Sequence, residues 1–325
     1  MGDGPQGAAA LPHDYDFDPT HGYDIEALLK VGVPQEPDDY AEFWEARYRR
    51  AVGVASKPVV EATERHLNGW RVSDLRYVST DGVEIGGWLL VPSDGVVERG
   101  MVVGHGYGGR ASPDFHWIMP GTALLYLCCR GLGRSTLPDV AEPGHGHVLH
   151  GIDDRDAYIH GGCVEDTWMG VSALLELFPQ VEGRVGYMGG SFGGGIGALA
   201  LPWEPRIMRA QLGVPSFGNQ PLRMQLATVG SGASVQKYYG DHPEVLDLLA
   251  YYDAAVAARR VAIPVQCACA LFDPAVAPAG QFAVYNALPG ERALFVLSAG
   301  HYTHDESPVE QRCLHRQVEA FFASL

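Results

Sequence analysis

The 325 residues are 46% hydrophobic, and 39 acidic side chains against 23 Lys and Arg leave a formal net charge of −16. A chain of this length and apolar content can bury a large core and leaves room for two domains. The charge argues against a nucleic-acid partner, because no basic patch or run is available to neutralise phosphates.

At the start, MGDGPQGAAALPHDYDFDP has no basic segment followed by an apolar one, and no apolar run in the chain approaches the ~18 residues of a membrane span. The expectation is a cytoplasmic protein with no membrane partner, its first dozen residues disordered. Cys128, Cys129, Cys163, Cys267, Cys269 and Cys313 sit mostly in apolar stretches and read as buried thiols rather than disulfides. Cys267 and Cys269 lie two apart in a strand pattern, but no second pair completes a zinc site.

In chain order, Tyr40–Val54 has helical spacing, with Phe43, Tyr48 and Val52 on one stripe, and reads as a surface helix ahead of the main fold. Trp70–Val78 and Val83–Val91 alternate as strands joined at Asp81-Gly82, a hairpin signal. Short buried strands follow at Met101–Gly104 and Thr122–Leu127, and a Gly-, Pro-, Asp- and His-rich loop runs from Arg134 to Gly162. Val164–Phe178 reads as an amphipathic helix, Val185–Met188 and Ile207–Val214 as strands, and Pro215–Gly240 as a mobile or capping segment. Pro243–Arg259 is expected as one helix. Val265–Leu271 is a strand, Ala279–Leu288 a helix, Ala293–Leu297 the last strand and Pro308–Leu325 a closing helix. A hairpin followed by β-α alternation predicts an α/β architecture: a doubly wound, mostly parallel sheet with helices on both faces.

Gly189-Gly190-Ser191-Phe192-Gly193 fits G-x-S-x-G between a buried strand and a Gly/Ala/Leu helix. In that context the serine occupies a sharp strand-to-helix turn that lifts its hydroxyl above the sheet. Gly193, Gly194, Gly195 and Gly197 would each weaken a helix by about 1 kcal/mol relative to alanine, a penalty tolerated where a helix must approach a sheet closely. A phosphate loop is the weaker reading, since neither GxxxxGK[ST] nor a clean G-x-G-x-x-G with its acidic partner is present.

A serine hydroxyl needs a base, and the base an acid that holds its tautomer. Asp273 follows one strand and His301 the next, so Ser191, Asp273 and His301 come in the order Ser, Asp, His at the carboxyl ends of strands. His304, Asp305 and Asp253 are the rivals: His304 lies farther from its strand, Asp305 follows the histidine and Asp253 falls in a predicted helix. The oxyanion calls for two preset donors, assigned to the N–H of Phe192 and the N–H of Tyr107 in the His105–Gly109 loop. His145, His147 and His150 lack a carboxylate at ligand spacing and read as exposed loop histidines, so no metal and no cofactor is expected.

With these residues placed, the chain resembles carbohydrate esterase family 7, the acetyl xylan esterase and cephalosporin C deacetylase group, from about Pro37 to the C-terminus. The resemblance rests on PDDYAEFW, VVGHGYGG, CRGLGRS, GIDDRDAYIHGGCVEDTWMGV, FPQVEGRVGYMGGSFGGG, LFDPAVAP with FAVYN, and AGH. It implies a single α/β-hydrolase domain over residues 37–325 behind an extension at 1–36, with the 134–162 insertion used in subunit contacts. It also implies hydrolysis of small acyl esters, chiefly acetyl, and a ring-like homo-oligomer, a hexamer in the family. The family's Arg-Gly-Gln-Gly is here Arg130-Gly131-Leu132-Gly133, its Ser-Gln-Gly-Gly is Ser191-Phe192-Gly193-Gly194, and its His-Glu is His301-Tyr302. Tyr107, Arg130, Leu132, Phe192 and Tyr302 are accordingly expected around the substrate, in a pocket drier than the family's and suited to a larger or less sugar-like acetylated molecule such as a secondary metabolite. An acyltransferase or peptidase on the same fold, or a silent binding protein, are the alternatives.

Overall fold

The computed structural model describes residues 11–113, 119–140 and 146–325. His145, and all of the first dozen residues but Leu11 and Pro12, lie outside the described residues.

Nine strands among the described residues form one sheet: β1 Val59–Leu67, β2 Trp70–Val78, β3 Glu84–Pro92, β4 Arg99–Val103, β5 Thr122–Leu127, β6 Val185–Gly190, β7 Ile207–Gly213, β8 Val265–Phe272 and β9 Arg292–Ala299. Their order is β1-β2-β3-β5-β4-β6-β7-β8-β9. β1, β2, β3 and β5 pair antiparallel; from β5 through β4 and β6 to β9 every pairing is parallel. The crossover order puts helices on both faces, and successive residues divide between two apolar layers. Val102 and Leu125 face the layer built with the Ile159–Leu177 and Phe192–Ala200 helices. Met101, Val103, Leu124 and Tyr126 face Leu314, Val318 and Phe322 of the Ser307–Phe322 helix. The glycines after Ser191 serve that packing: a Cβ on Gly197 would lie 2.2 Å from Tyr187 Cε1.

Several expectations are corrected. β1 is an additional edge strand, exposed along most of its length and joined to β2 at Asn68-Gly69, whose φ angles of 48° and 86° suit a tight hairpin. The Tyr40–Val52 helix buries Tyr40, Phe43, Trp44, Arg47 and Ala51, while Val52, expected on the stripe, is 40% exposed. The helix expected at Val164 begins at Ile159 and is buried nearly all round: Arg47 and Arg130 close over Gly161 and Gly162 in its first turn, and Cys163 to Leu174 pack into the apolar core. The 215–240 segment contains helices at Gln220–Arg223 and Ser231–Asp241. The single helix expected over Pro243–Arg259 is split into Val245–Leu249 and Ala254–Ala258. The break is made by Asp253, whose carboxylate caps the second piece by accepting from the Ala255 and Val256 N–H groups.

Within residues 11–36, the Ile25–Leu28 helix packs on the Pro278–Ala287 helix. The Asn286 amide donates to the Leu28 and Val31 carbonyls at 2.9 and 3.0 Å, and Leu28 is fully buried. All six cysteines are free thiols, five of them buried; burial pushes the Cys267 thiol up to about 12.

Candidate active site

β6 ends at Gly190, and Ser191 turns the chain into the Phe192–Ala200 helix at φ 56°, ψ −117°. Left-handed φ is unfavourable for a residue with a Cβ, and here the surroundings hold it. The Ser191 N–H donates to Gly213 O at 2.8 Å, and its carbonyl accepts from Gly195 and Ser216 N–H at 3.0 and 3.1 Å.

β8 delivers Asp273 and β9 delivers His301 to the same rim. The His301 Nδ1–H donates to the Asp273 carboxylate at 2.8 and 3.0 Å, and its Nε2 accepts from the Ser191 hydroxyl at 2.8 Å. Gly300 makes the approach possible, since a Cβ there would stand 2.3 Å from Asp273 Oδ2. Asp273 is fully buried and takes further donors from Ala275 N, Val276 N and Gln281 Nε2, each at 2.9 Å. Burial pulls the His301 imidazolium down, but the hydrogen bond and charge of Asp273 outweigh it, so its pKa lies above the ordinary 6.5. The rivals lie elsewhere. His304 faces Glu310 at 3.4 Å, Asp305 is exposed, and Asp253 is spent on capping.

The loop after β4 meets the helix end, with Gly193 N–H donating to His105 O at 2.8 Å. His105 is buried and fixes the loop: its Nε2 accepts from Cys129 N–H at 2.9 Å and its Nδ1–H donates to Gly106 O at 2.8 Å. Burial pushes its pKa down to about 4, so the ring is neutral. Among the described residues no acceptor takes the Phe192 or the Tyr107 N–H. A cavity of about 390 Å³ opens at this junction, lined by Ser191, Gly106, Gly190, Arg110 and Val214 among others.

The side chains expected around the substrate are placed differently. Phe192 is fully buried, its ring packed on Tyr107, His105, His160 and Phe217 with centroids 4.7 to 6.0 Å away. Leu132 is also fully buried in the core. Both departures therefore fill the interior and do not dry the cavity. Arg130 is buried and held by Asp166, with Nη2 to Oδ1 at 2.7 Å. Tyr107 is half-buried, its hydroxyl donating to His147 Nδ1 at 2.7 Å. Tyr302 lies beside His301, and its hydroxyl donates to Pro12 O. His147, expected exposed, is buried, because its Nε2–H donates to Arg130 O at 2.9 Å while Nδ1 holds Tyr107. Among the described residues no group of three or more His, Cys, Asp or Glu could hold a metal. Sequence reasoning missed Gln281 and the Pro19 carbonyl, which accepts from Asp273 N–H at 3.3 Å. Neither carries a motif signal.

A family model described as acetyl xylan esterase (AXE1) matches residues 28–317. Acetyl esterase Axe7A of Xylanibacter ruminicola is 25% identical over 182 residues, a match covering 54% of this chain but only 40% of that protein. Two solved structures share the α/β-hydrolase fold. The acetyl xylan esterase from Paenibacillus sp. R4 superposes with TM-score 0.81 at 22% identity, covering 91% of this chain and 99% of that one. Acetyl xylan esterase 1 from Thermoanaerobacterium sp. JW/SL YS485 gives 0.76 at 20% identity, covering 90% and 98%.

Proposed function

The chain belongs to the acetyl xylan esterase family, and from that premise we propose that it is a serine esterase removing acetyl or other small acyl groups from an alcohol. The observation that carries the reading is the unbroken relay Ser191 Oγ to His301 Nε2 at 2.8 Å and His301 Nδ1 to Asp273 Oδ2 at 2.8 Å. His301 takes the serine proton as Oγ attacks the ester carbonyl, while the Phe192 and Tyr107 N–H groups receive the oxyanion. His301 then protonates the leaving alcohol, water attacks the acyl-enzyme through the same base, and acetate leaves. Asp273 orients the ring and stabilises the imidazolium. No step calls for a metal or cofactor.

Residues 37–325 form one catalytic domain in this reading, the 134–162 insertion mediates contacts between subunits, and the protein works as a cytoplasmic homo-oligomer, a hexamer. Among the described residues no helix is long and apolar enough to cross a membrane.

Hydrolysis of 4-nitrophenyl acetate, a decline along longer acyl chains and labelling of Ser191 by a fluorophosphonate are the expected results. Folded protein that neither turns over the ester nor takes the label would overturn the reading, and light scattering on the eluted protein tests the hexamer. Product analysis with competing alcohols and amines separates hydrolysis from acyl transfer.

A further inference from the structure

The cavity of about 390 Å³ extends from the Ser191 turn over the sheet face that the Ser307–Phe322 helix covers, along Met188, Val214, Ala268, Leu297 and Leu314. Two glycines keep it open at the turn. A Cβ on Gly190 would meet only Gly213 O, at 3.9 Å, and one on Gly106 would meet nothing within 4 Å. Two buried polar side chains line it, and they differ. His105 has partners at both ring nitrogens, whereas Gln211 of β7 is 4% exposed and no hydrogen bond engages its amide among the described residues. That amide leans along the strand toward the serine. A Cβ on Gly213, on the same face of β7, would lie 3.4 Å from Gln211 Nε2 and 3.6 Å from Gly190 Cα. Gly213 O is itself the acceptor of the Ser191 N–H, at 2.8 Å.

The tetrahedral carbon formed on Ser191 has three further substituents. Its oxyanion lies at the Phe192 and Tyr107 N–H groups, and its leaving oxygen at His301 Nε2 to be protonated. The acyl chain takes the direction that remains. Ser191 lines the cavity, whereas Phe192, Tyr107 and His301 do not. The cavity is therefore on the acyl side of the site.

An unsubstituted alkyl chain laid over this wall would strip water from the Gln211 amide and leave it unpaired, a penalty that agrees with declining turnover along plain acyl chains. A chain carrying an oxygen at the amide would accept from Nε2 and remove that penalty. Arg110, the cation on the wall, is already engaged: Nη2 donates to Gly104 O at 2.5 Å, and the guanidinium lies 4.8 Å from the Tyr126 ring centroid. The group left to be read is neutral. On the esterase reading above, we infer that Gln211 is a specificity-determining residue. It selects a short acyl group bearing a neutral hydrogen-bonding oxygen, a ketone or hydroxyl, over the alkyl acyl group of the same length.

The test uses two matched pairs of 4-nitrophenyl esters on the purified full chain: 4-oxopentanoate with pentanoate, and 5-oxohexanoate with hexanoate. Each rate is divided by the ester's spontaneous hydrolysis, so that only recognition is compared. The keto ester is expected to lead by about 10-fold or more in kcat/KM in at least one pair. Gln211→Met keeps the side-chain length and removes the amide. It should slow the keto ester and speed the alkyl ester, a crossover that loss of folded protein, which slows both, does not produce. Ala268→Leu projects a larger side chain into the cavity and should slow pentanoate relative to acetate. Equal kcat/KM within both pairs, or a keto preference that survives Gln211→Met, overturns the role of Gln211 and leaves the esterase reading standing. An unchanged pentanoate-to-acetate ratio in folded Ala268→Leu overturns it too, since the acyl chain then lies elsewhere. No turnover of 4-nitrophenyl acetate by the unmodified chain overturns the esterase reading and this inference with it.

Discussion

Gln281 Nε2 donates to Asp273 Oδ2 at 2.9 Å from a side chain with no exposed surface. The same amide donates to Val276 O at 2.7 Å and accepts from Ala270 N–H at 2.8 Å, so it ties β8 to the turn that carries the carboxylate. Replacing it by leucine leaves the Ala270 N–H and one Asp273 lone pair without partners. Gln281→Leu is expected to lose about 1–3 kcal/mol of stability. It should also lower kcat, because the carboxylate that orients the His301 ring loses one of its fixed donors. Melting temperature and a kcat pH profile check this; a fall in melting temperature with an unchanged profile would make Gln281 a packing residue only.

Ser191 sits at φ 56°, ψ −117°, a region natural to glycine. Alanine and glycine at this position both remove the nucleophile, and each should cut kcat by a factor on the order of 10⁶. They differ in strain, because only glycine releases it, by about 1–3 kcal/mol, less the ~0.5–1 kcal/mol that its freer unfolded chain takes back. Ser191→Gly should therefore melt above Ser191→Ala. The reverse order in a thermal melt would mean that the turn is not strained.

What the sequence made legible follows from how local each signal was. The Ser191 turn, the Asp273 and His301 strand ends and the strands at 70–78 and 122–127 were readable because apolar runs and glycine boundaries are contiguous. β1 was missed since VVEATERHL is an edge strand with no buried face, although Asn68-Gly69 marked its hairpin. The Asp253 cap was missed because an apolar flank hid a residue whose carboxylate draws four backbone N–H groups, those of Asn219, Gln220, Ala255 and Val256. Phe192 and Leu132 were expected beside the substrate because departures from a pattern show where residues differ, not which way they face. Gln281 and Pro19 reach Asp273 from 8 residues and 254 residues away, and no periodicity encodes such meetings.

The raised His301 pKa gives opposite pH dependences for activity and stability. As a general base the imidazole must be neutral, so kcat/KM should climb through an inflection above the ordinary histidine value of 6.5. For stability the sign reverses: a folded pKa above the unfolded one stabilises fully below ~6.5, and that contribution fades as pH rises through the folded pKa. Asp273→Asn removes the hydrogen-bonded charge and leaves burial, so any residual activity should have its inflection shifted downward. A pH–rate profile of both proteins checks the direction.

Glu165 offers a test remote from the serine. Its fully buried carboxylate accepts from Arg47 Nη1 at 2.7 Å, Arg50 Nη2 at 2.7 and 2.9 Å, and the Thr80 hydroxyl at 2.5 Å. It thereby joins the Tyr40–Val52 helix to the Ile159–Leu177 helix and to the β2–β3 turn. Arg50 is about half exposed and can turn to water, whereas the Arg47 side chain is 8% exposed and cannot. Removing the carboxylate leaves a buried guanidinium uncompensated, so Glu165→Met is expected to cost about 3–5 kcal/mol. Adding Arg47→Met removes the stranded charge and should recover part of that loss, because a well-packed apolar pair can replace a buried ion pair at little net penalty. Urea unfolding of the single and double variants measures the coupling. A double variant no more stable than Glu165→Met alone would mean that Arg47 already finds another partner, the Asp156 carbonyl 2.5 Å from its Nη2 being the one at hand.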